Sequence, residues 1–223
     1  MGSPVSAEDA VAPFRVALAN LIKSVSFVDA IADPEAKREA HEMLAAVAVA
    51  PALAALGLRI ANPDLKGTPE RWARAMAEMT DGYFDDPKAL LATTFDGSGY
   101  DQLVLLKDVP FASLCEHHVL PFTGKVHVGY VPKGRVVGLS KLARVVDCFS
   151  RRFQIQERMT KEIADAIEGA LSPVALGVVV EATHTCMTIR GVGKPGAVMT
   201  TSDVRGAFRD NASARTEFFA MID

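Results

Sequence analysis

Cysteine is scarce in this chain: three in 223 residues, at positions 115, 148 and 186. So small and odd a count excludes a disulfide framework and fits a reducing compartment. There is no surplus of positive charge either. Lys and Arg number 24 against 27 Asp and Glu, giving a net charge of −3 and a pI near 6.0. A molecule-wide basic field for nucleic acid is excluded, and any anionic ligand must be met by a local basic cluster. Long apolar runs are missing. Met43 to Leu58 is Ala-rich, broken at Pro51 and too short to span a bilayer, so it reads as a core or subunit-packing helix and no membrane partner is expected. Glu8 and Asp9 stand where a signal peptide carries its basic region, which points to the cytoplasm. With 49% hydrophobic and 23% charged residues, the chain has the composition of a soluble globular protein with one main domain and a smaller appendage.

Organisation changes near residue 100. Residues 1–40 form an N-terminal extension, with 1–7 disordered and a helix over 8–31. Residues 41–99 belong to a helical region. Its first helix, over 35–57, ends at Gly57 as a C-cap, and the next opens with Thr68 as N-cap and Pro69 at the first helical position. Gly97-Ser98-Gly99 reads as a hinge. From 100 to 223 the periodicity switches. Leu103–Val109 reads as a strand followed by a loop from Cys115 to His118, and Val126, Val128 and Tyr130 alternate as a half-buried strand. Ser140 caps a helix with Leu142, Val145, Val146 and Phe149 as its buried stripe, and a second helix covers about 154–171. Gly177–Arg190 reads as one long strand. Helices between strand pairs make this half α+β with an antiparallel sheet. The strands around Leu103–Val109 and Gly177–Arg190, being apolar, would leave open edges that another copy must cover.

The chemistry concentrates in Cys115-Glu116-His117-His118, answered by His184-Thr185-Cys186. Thiolate and imidazole together select Zn²⁺ over hard, oxygen-loving cations. Cys115 and His118 have ligand spacing, Cys186 can add a third ligand, and no fourth cysteine closes the shell except Cys148, which lies on an apolar helix stripe. Three protein ligands leave a tetrahedral position open, as in catalytic zinc sites. Against this, Cys-x-x-His is a common pattern and free Cys is often simply a small buried hydrophobe. The adjacent His117 and His118, and the alternation of His184 with Cys186 on one strand face, bring the two readings level.

A second cluster sits on the helix from Ser140. Lys141 and Arg144 fall in its first turn, where cations oppose the helix dipole. They are either a solvated basic face or part of an anion site that uses the free N–H groups. Arg190, on the same strand face as His184 and Cys186, would lie about 13 Å along that strand, near the reach from a purine ring to the end of a triphosphate.

In order and spacing, four motifs resemble GTP cyclohydrolase I: Ser113-Leu114-Cys115-Glu116-His117-His118, Gly138-Leu139-Ser140-Lys141-Leu142-Ala143-Arg144, Gln154-Ile155-Gln156-Glu157-Arg158 and His184-Thr185-Cys186-Met187-Thr188-Ile189-Arg190-Gly191. The resemblance runs from about Leu56 to Ile222 and includes Thr68-Pro69-Glu70-Arg71, while residues 1–40 lie outside it. Cys148, Phe153 and Asp203 depart from the expected pattern, in packing rather than chemistry. The resemblance implies a tunnelling fold (T-fold) preceded by a helical region, a toroidal homodecamer with sites at subunit interfaces, and conversion of GTP to 7,8-dihydroneopterin triphosphate and formate.

It further implies zinc on Cys115, His118 and Cys186, proton transfer by His117 and His184, and help from Ser140 in opening the ribose. Guanine presents N1–H and an amino group, both donors, which suits a carboxylate. Glu157, with Gln156 beside it, is the implied partner, although alone Glu157 would read as a surface residue paired with Lys161. Lys141, Arg144, Arg190 and Arg71 are the implied triphosphate cations, and Glu116 the group that orients the loop or a histidine. Two other classes stay open: another T-fold enzyme, such as a deazapurine nitrile reductase, and a non-catalytic zinc- or nucleotide-binding relative. The first would not need the paired histidines and Cys186; the second would not need His117 and His184.

Overall fold

Gly57 marks how closely local chemistry sets the first helix, α1 (Pro34–Ala55). Its N-cap Asp33 accepts from the Ala36 N–H, with Pro34 at the first position, where a missing N–H costs nothing. At the other end Gly57, at φ 97°, lets Leu58 N–H reach Leu53 O while its own N–H reaches Ala54 O. This is a Schellman closure. Met43 and Val47 are 65% exposed, so within the chain α1 is not a core helix. A computed structural model describes residues 20–222 except 22 and 27, so the expected disorder of 1–7 and most of the expected helix over 8–31 lie outside the described residues. The chain divides into two compact units between Glu78 and Met79. Among the described residues no helix is long and apolar enough to cross a membrane.

The first unit also holds nearly all of α2 (Thr68–Met79). Thr68 is not its cap. The Gly67 carbonyl accepts the Arg71 N–H, and the Thr68 hydroxyl instead accepts from the Arg71 guanidinium at 2.9 Å.

In the second unit, α3 (Pro87–Leu91) precedes β1 (Thr94–Asp96), which pairs antiparallel with β4 (Arg135–Val137). The Gly97-Ser98-Gly99 segment is a bonded turn rather than a free hinge: Asp96 accepts from Ser98 N–H, and Gly97 N–H donates to Gly134 O. The main sheet has the order β5-β2-β3-β6-β7. Its long strands are β2 (Val104–Cys115), β3 (Leu120–Val131), β6 (Ala175–His184) and β7 (Met199–Gly206), all antiparallel to their neighbours. The two-residue β5 (Phe153–Gln154) lies parallel to the end of β2. The α+β expectation with an antiparallel sheet therefore holds.

One sheet face packs beneath α4 (Leu139–Ser150) and α5 (Gln156–Leu171). Val126, Val128 and Tyr130 of β3 and Val178 and Val180 of β6 are fully buried there with Val145, Met159 and Ile163. Each Å² of apolar surface that this face removes from water contributes about 25 cal/mol. The opposite face receives α7 (Ala207–Asp210) and α8 (Ala212–Ile222) through Phe208 and Phe218. Gly129 and Gly177 are paired across β3 and β6, and a Cβ on either would come within 2.6 Å of the Phe218 ring. The glycine pair is the seat of that ring. Two of the departures from the expected pattern find partners: Cys148 is fully buried with its thiol near Gly82 O and Asp85 O, and Asp203 pairs with Arg205.

Three expectations are corrected. The strand expected over Leu103–Val109 continues to Cys115, through a bulge where Asp108 takes φ 59°, so Cys115 ends a strand rather than opening a loop. The run Gly177–Arg190 is not one strand: it ends at His184 and turns into α6 (Thr185–Thr188). The ladder with β3 stops there: His184 pairs with Phe122, and the preceding Pro121 has no N–H to give. The Pro121 carbonyl instead takes the Thr185 hydroxyl at 2.5 Å. β6 is accordingly an interior strand. The free edges belong to β7 and to β2, which β5 covers only at Leu114 and Cys115.

Candidate active site

Cys115 closes β2, Leu120 opens β3, and the four residues between them form a tight turn. The N–H groups of His118 and Val119 both return to the Cys115 carbonyl, and Val119 takes φ 54° to complete the bend. The turn folds His118 back over Cys115, which is why a spacing of three serves two ligands. The Cys115 Sγ and His118 Nδ1 lie 3.6 Å apart. A tetrahedral centre with Zn–S of about 2.3 Å and Zn–N of about 2.0–2.1 Å separates such atoms by about 3.6 Å.

The third ligand arrives by a route the sequence did not show. Because the chain turns helical at Thr185, Cys186 does not share a strand face with His184. The turn swings its thiol inward, so that Cys115, His118 and Cys186 place their ligand atoms within 4.8 Å of one another. Burial pushes the Cys186 thiol up, and the neighbouring Cys115 adds to the effect. Two thiols this close resist ionising together unless a cation sits between them. Soft donors, tetrahedral spacing and only three ligands together fit zinc with one open position.

Two histidines flank the three ligands. The His117 Nδ1 is 4.0 Å from the Cys115 Sγ, outside the ligand set. The His184 ring stacks on Phe122, with centroids 4.5 Å apart and planes 5° from parallel, and its Nε2 lies 2.8 Å from the Gln156 Oε1. Burial lowers the pKa of His184, favouring the neutral ring that can accept a proton. Glu116 reaches no histidine. Its carboxylate is bound by Arg158, which holds its pKa down and also donates to Phe153 O and the Gln154 side chain. The ligand turn is thereby tied to the start of α5.

The remaining residues singled out from the sequence stand differently. Gln156 is buried and its amide is spent on protein partners, while its neighbour Glu157 is exposed. Lys161 pairs with Asp165 at 2.6 Å, not with Glu157. The N-cap of α4 is Gly138, so Ser140 lies inside the first turn with its hydroxyl uncommitted. Arg190 is not further along a strand from His184, as expected, but beyond α6, where its charge offsets only a small part of the upward shift of the Cys186 thiol. Among the described residues, Lys141, Arg144, Glu157 and Arg190 have no side-chain hydrogen bond or ion pair within the chain. Arg71 lies in the first unit, engaged with Thr68 and Asp64. Residue-by-residue reasoning missed Phe122, Thr160 and Thr201, whose contacts set the His184 ring and its Gln156 partner. A Phe and two Thr in strands and helix carry no sequence signal beyond ordinary packing.

Comparison with known proteins adds a separate line. The profile of the family described as GTP cyclohydrolase I matches residues 45–223. GTP cyclohydrolase 1 of Corynebacterium glutamicum is 48% identical over 192 residues, covering 84% of this chain and 96% of that protein. GTP cyclohydrolase 1 of Halalkalibacterium halodurans is 52% identical over 176 residues, covering 78% and 93%.

Proposed function

The chain belongs to the GTP cyclohydrolase I family, and on that premise we propose that it converts GTP and water to 7,8-dihydroneopterin triphosphate and formate, with zinc as its metal. The observation that carries the reading is the convergence of Cys115, His118 and Cys186 beside a histidine clamped between Phe122 and Gln156. A zinc ion held by these three ligands would supply Lewis-acid activation of water at neutral pH. His117 and His184 transfer protons at the guanine imidazole ring, since imidazole gains and loses a proton in the working range. The Ser140 hydroxyl assists opening of the ribose.

Recognition follows charge and hydrogen-bond type. The Glu157 carboxylate accepts from guanine N1–H and the amino group, a pairing adenine cannot make. Lys141, Arg144 and Arg190 meet the triphosphate, with Arg71 as a fourth cation; arginine does so bidentately and lysine as a point charge. That the side chains of Lys141, Arg144, Glu157 and Arg190 are uncommitted within the chain supports these assignments. The deciding assay incubates purified, zinc-loaded protein with GTP and follows formate and, after oxidation, pterin fluorescence. Neither product appearing would overturn the reading.

The same reading includes a T-fold ring of ten identical subunits in the cytoplasm, each site drawing residues from neighbouring chains. The free edge of β2 and the exposed Phe95, Tyr100 and Val198 are what another copy would cover. Light scattering is expected to give about ten times the 23.8 kDa chain mass. Mixing Cys186→Ser with Glu157→Ala subunits restores part of the activity if the two positions face each other across an interface. A monomer with full turnover would refute both the ring and the shared site.

A further inference from the structure

Gln156 opens α5 with a side chain that is 1% exposed and hydrogen-bonded at both ends of its amide. A glutamine amide carries an acceptor at one end and two N–H donors at the other, and the two ends are nearly alike in shape. Here the surroundings decide which is which. The Nε2 lies 2.9 Å from Val180 O and 3.0 Å from Met199 O, two backbone carbonyls that can only accept. Turning the amide over would put its oxygen against both of them.

The nearby hydroxyls agree. Thr160 Oγ1 donates to Gln156 O at 2.7 Å, so the 2.7 Å contact between Thr160 and Thr201 takes its proton from Thr201. The Thr201 oxygen, 3.1 Å from Gln156 Nε2, is then left as another acceptor for the amide. Gln156 Oε1 must therefore be the atom 2.8 Å from His184 Nε2. An amide oxygen only accepts, so that ring nitrogen must carry a proton.

We propose that Gln156 is a positioning residue that holds His184 as its Nε2–H tautomer, leaving Nδ1 as the nitrogen through which the ring exchanges protons with substrate or water. Phe122 fixes the plane of the ring by stacking, and Gln156 fixes its rotation within that plane. Glutamine suits the position because its amide combines the acceptor for His184 with the donors that aim it. A glutamate would set oxygens against Val180 O and Met199 O. This differs from a direct guanine contact, since both amide N–H groups face protein acceptors and Oε1, already bonded to His184, belongs to a side chain that is 1% exposed.

The proposal rests on the function given above only for its kinetic consequence, so its test has two arms. In zinc-loaded full-length protein labelled with ¹⁵N-histidine, long-range ¹H–¹⁵N correlations at mildly alkaline pH should show neutral His184 protonated at Nε2 and bare at Nδ1, with a slowly exchanging Nε2 proton. A His184→Gln sample identifies the signal. In Gln156→Ala the slow exchange is lost, zinc content is unchanged, and kcat for GTP falls about 10–100-fold while KM stays nearly constant. An Nδ1–H tautomer in the unmodified protein would overturn the proposal whatever the protein does to GTP, since this arm reads the tautomer in the unmodified protein and uses the His184→Gln variant only to assign the signal. A raised KM with kcat retained would also overturn it, by making Gln156 a guanine contact. So would an unchanged kcat.

Discussion

Replacing Cys186 with serine is expected to remove zinc and turnover together. Cys115, His118 and Cys186 are the only group of three or more potential ligands with atoms mutually within 4.8 Å among the described residues, so losing Cys186 leaves a cysteine and a histidine from a single turn. A serine hydroxyl is a harder donor that stays protonated at neutral pH, and it does not replace a thiolate toward a borderline-soft cation. Metal analysis should fall from about one zinc per chain to near none. Without several kcal/mol of Lewis-acid stabilisation, turnover should fall by at least about 10³-fold. Cys148→Ser is the matched control. Cys148 is fully buried beside Gly82, Asp85 and Arg152, away from the ligand set, so this variant should keep its metal. Full activity in a metal-free preparation would disprove the zinc assignment.

The second large effect separates chemistry from metal binding. His117→Ala and His184→Ala should each retain about one zinc per chain and bind GTP, yet lose about 10²–10⁴-fold in kcat, the usual contribution of a positioned general acid or base. The geometry underlies the distinction: neither histidine belongs to the three-ligand set, and the Nε2 of His184 is already occupied by Gln156. Zinc loss in either variant would reassign that residue as a ligand, and near-normal turnover would remove it from proton transfer. Arg190→Ala should behave in the opposite way, weakening GTP binding far more than guanosine binding so that the two affinities converge. A charge-assisted hydrogen bond of about 1.5–3 kcal/mol corresponds to about 10–100-fold in the GTP affinity. Equal weakening of both ligands would place Arg190 away from the triphosphate.

Much of this molecule was legible in the linear chain because its determinants are local. Schellman closure at Gly57 needs only a residue tolerant of positive φ, and the buried stripe Leu142, Val145, Val146 and Phe149 needs only helical spacing. The alternation of Val126, Val128 and Tyr130 declared a strand, but it is not half-buried as expected: His127 and Gly129 on the other face are buried as well. The ligand identities Cys115, His118 and Cys186 were equally open to view, since donor chemistry belongs to residue type. What the chain could not declare depends on groups distant in sequence. Strand β6 stops at His184, where its partner strand presents a proline, and this stop, not strand alternation, carries Cys186 to Cys115. Whether an edge is free depends on strand order, which makes β6 interior and leaves β2 open. Gln156 looked like a ligand contact beside Glu157, but two carbonyls from β6 and β7 claim its amide and aim it at His184. Periodicity and donor type are written residue by residue, whereas the partner that satisfies a buried polar group exists only once the chain has closed around it.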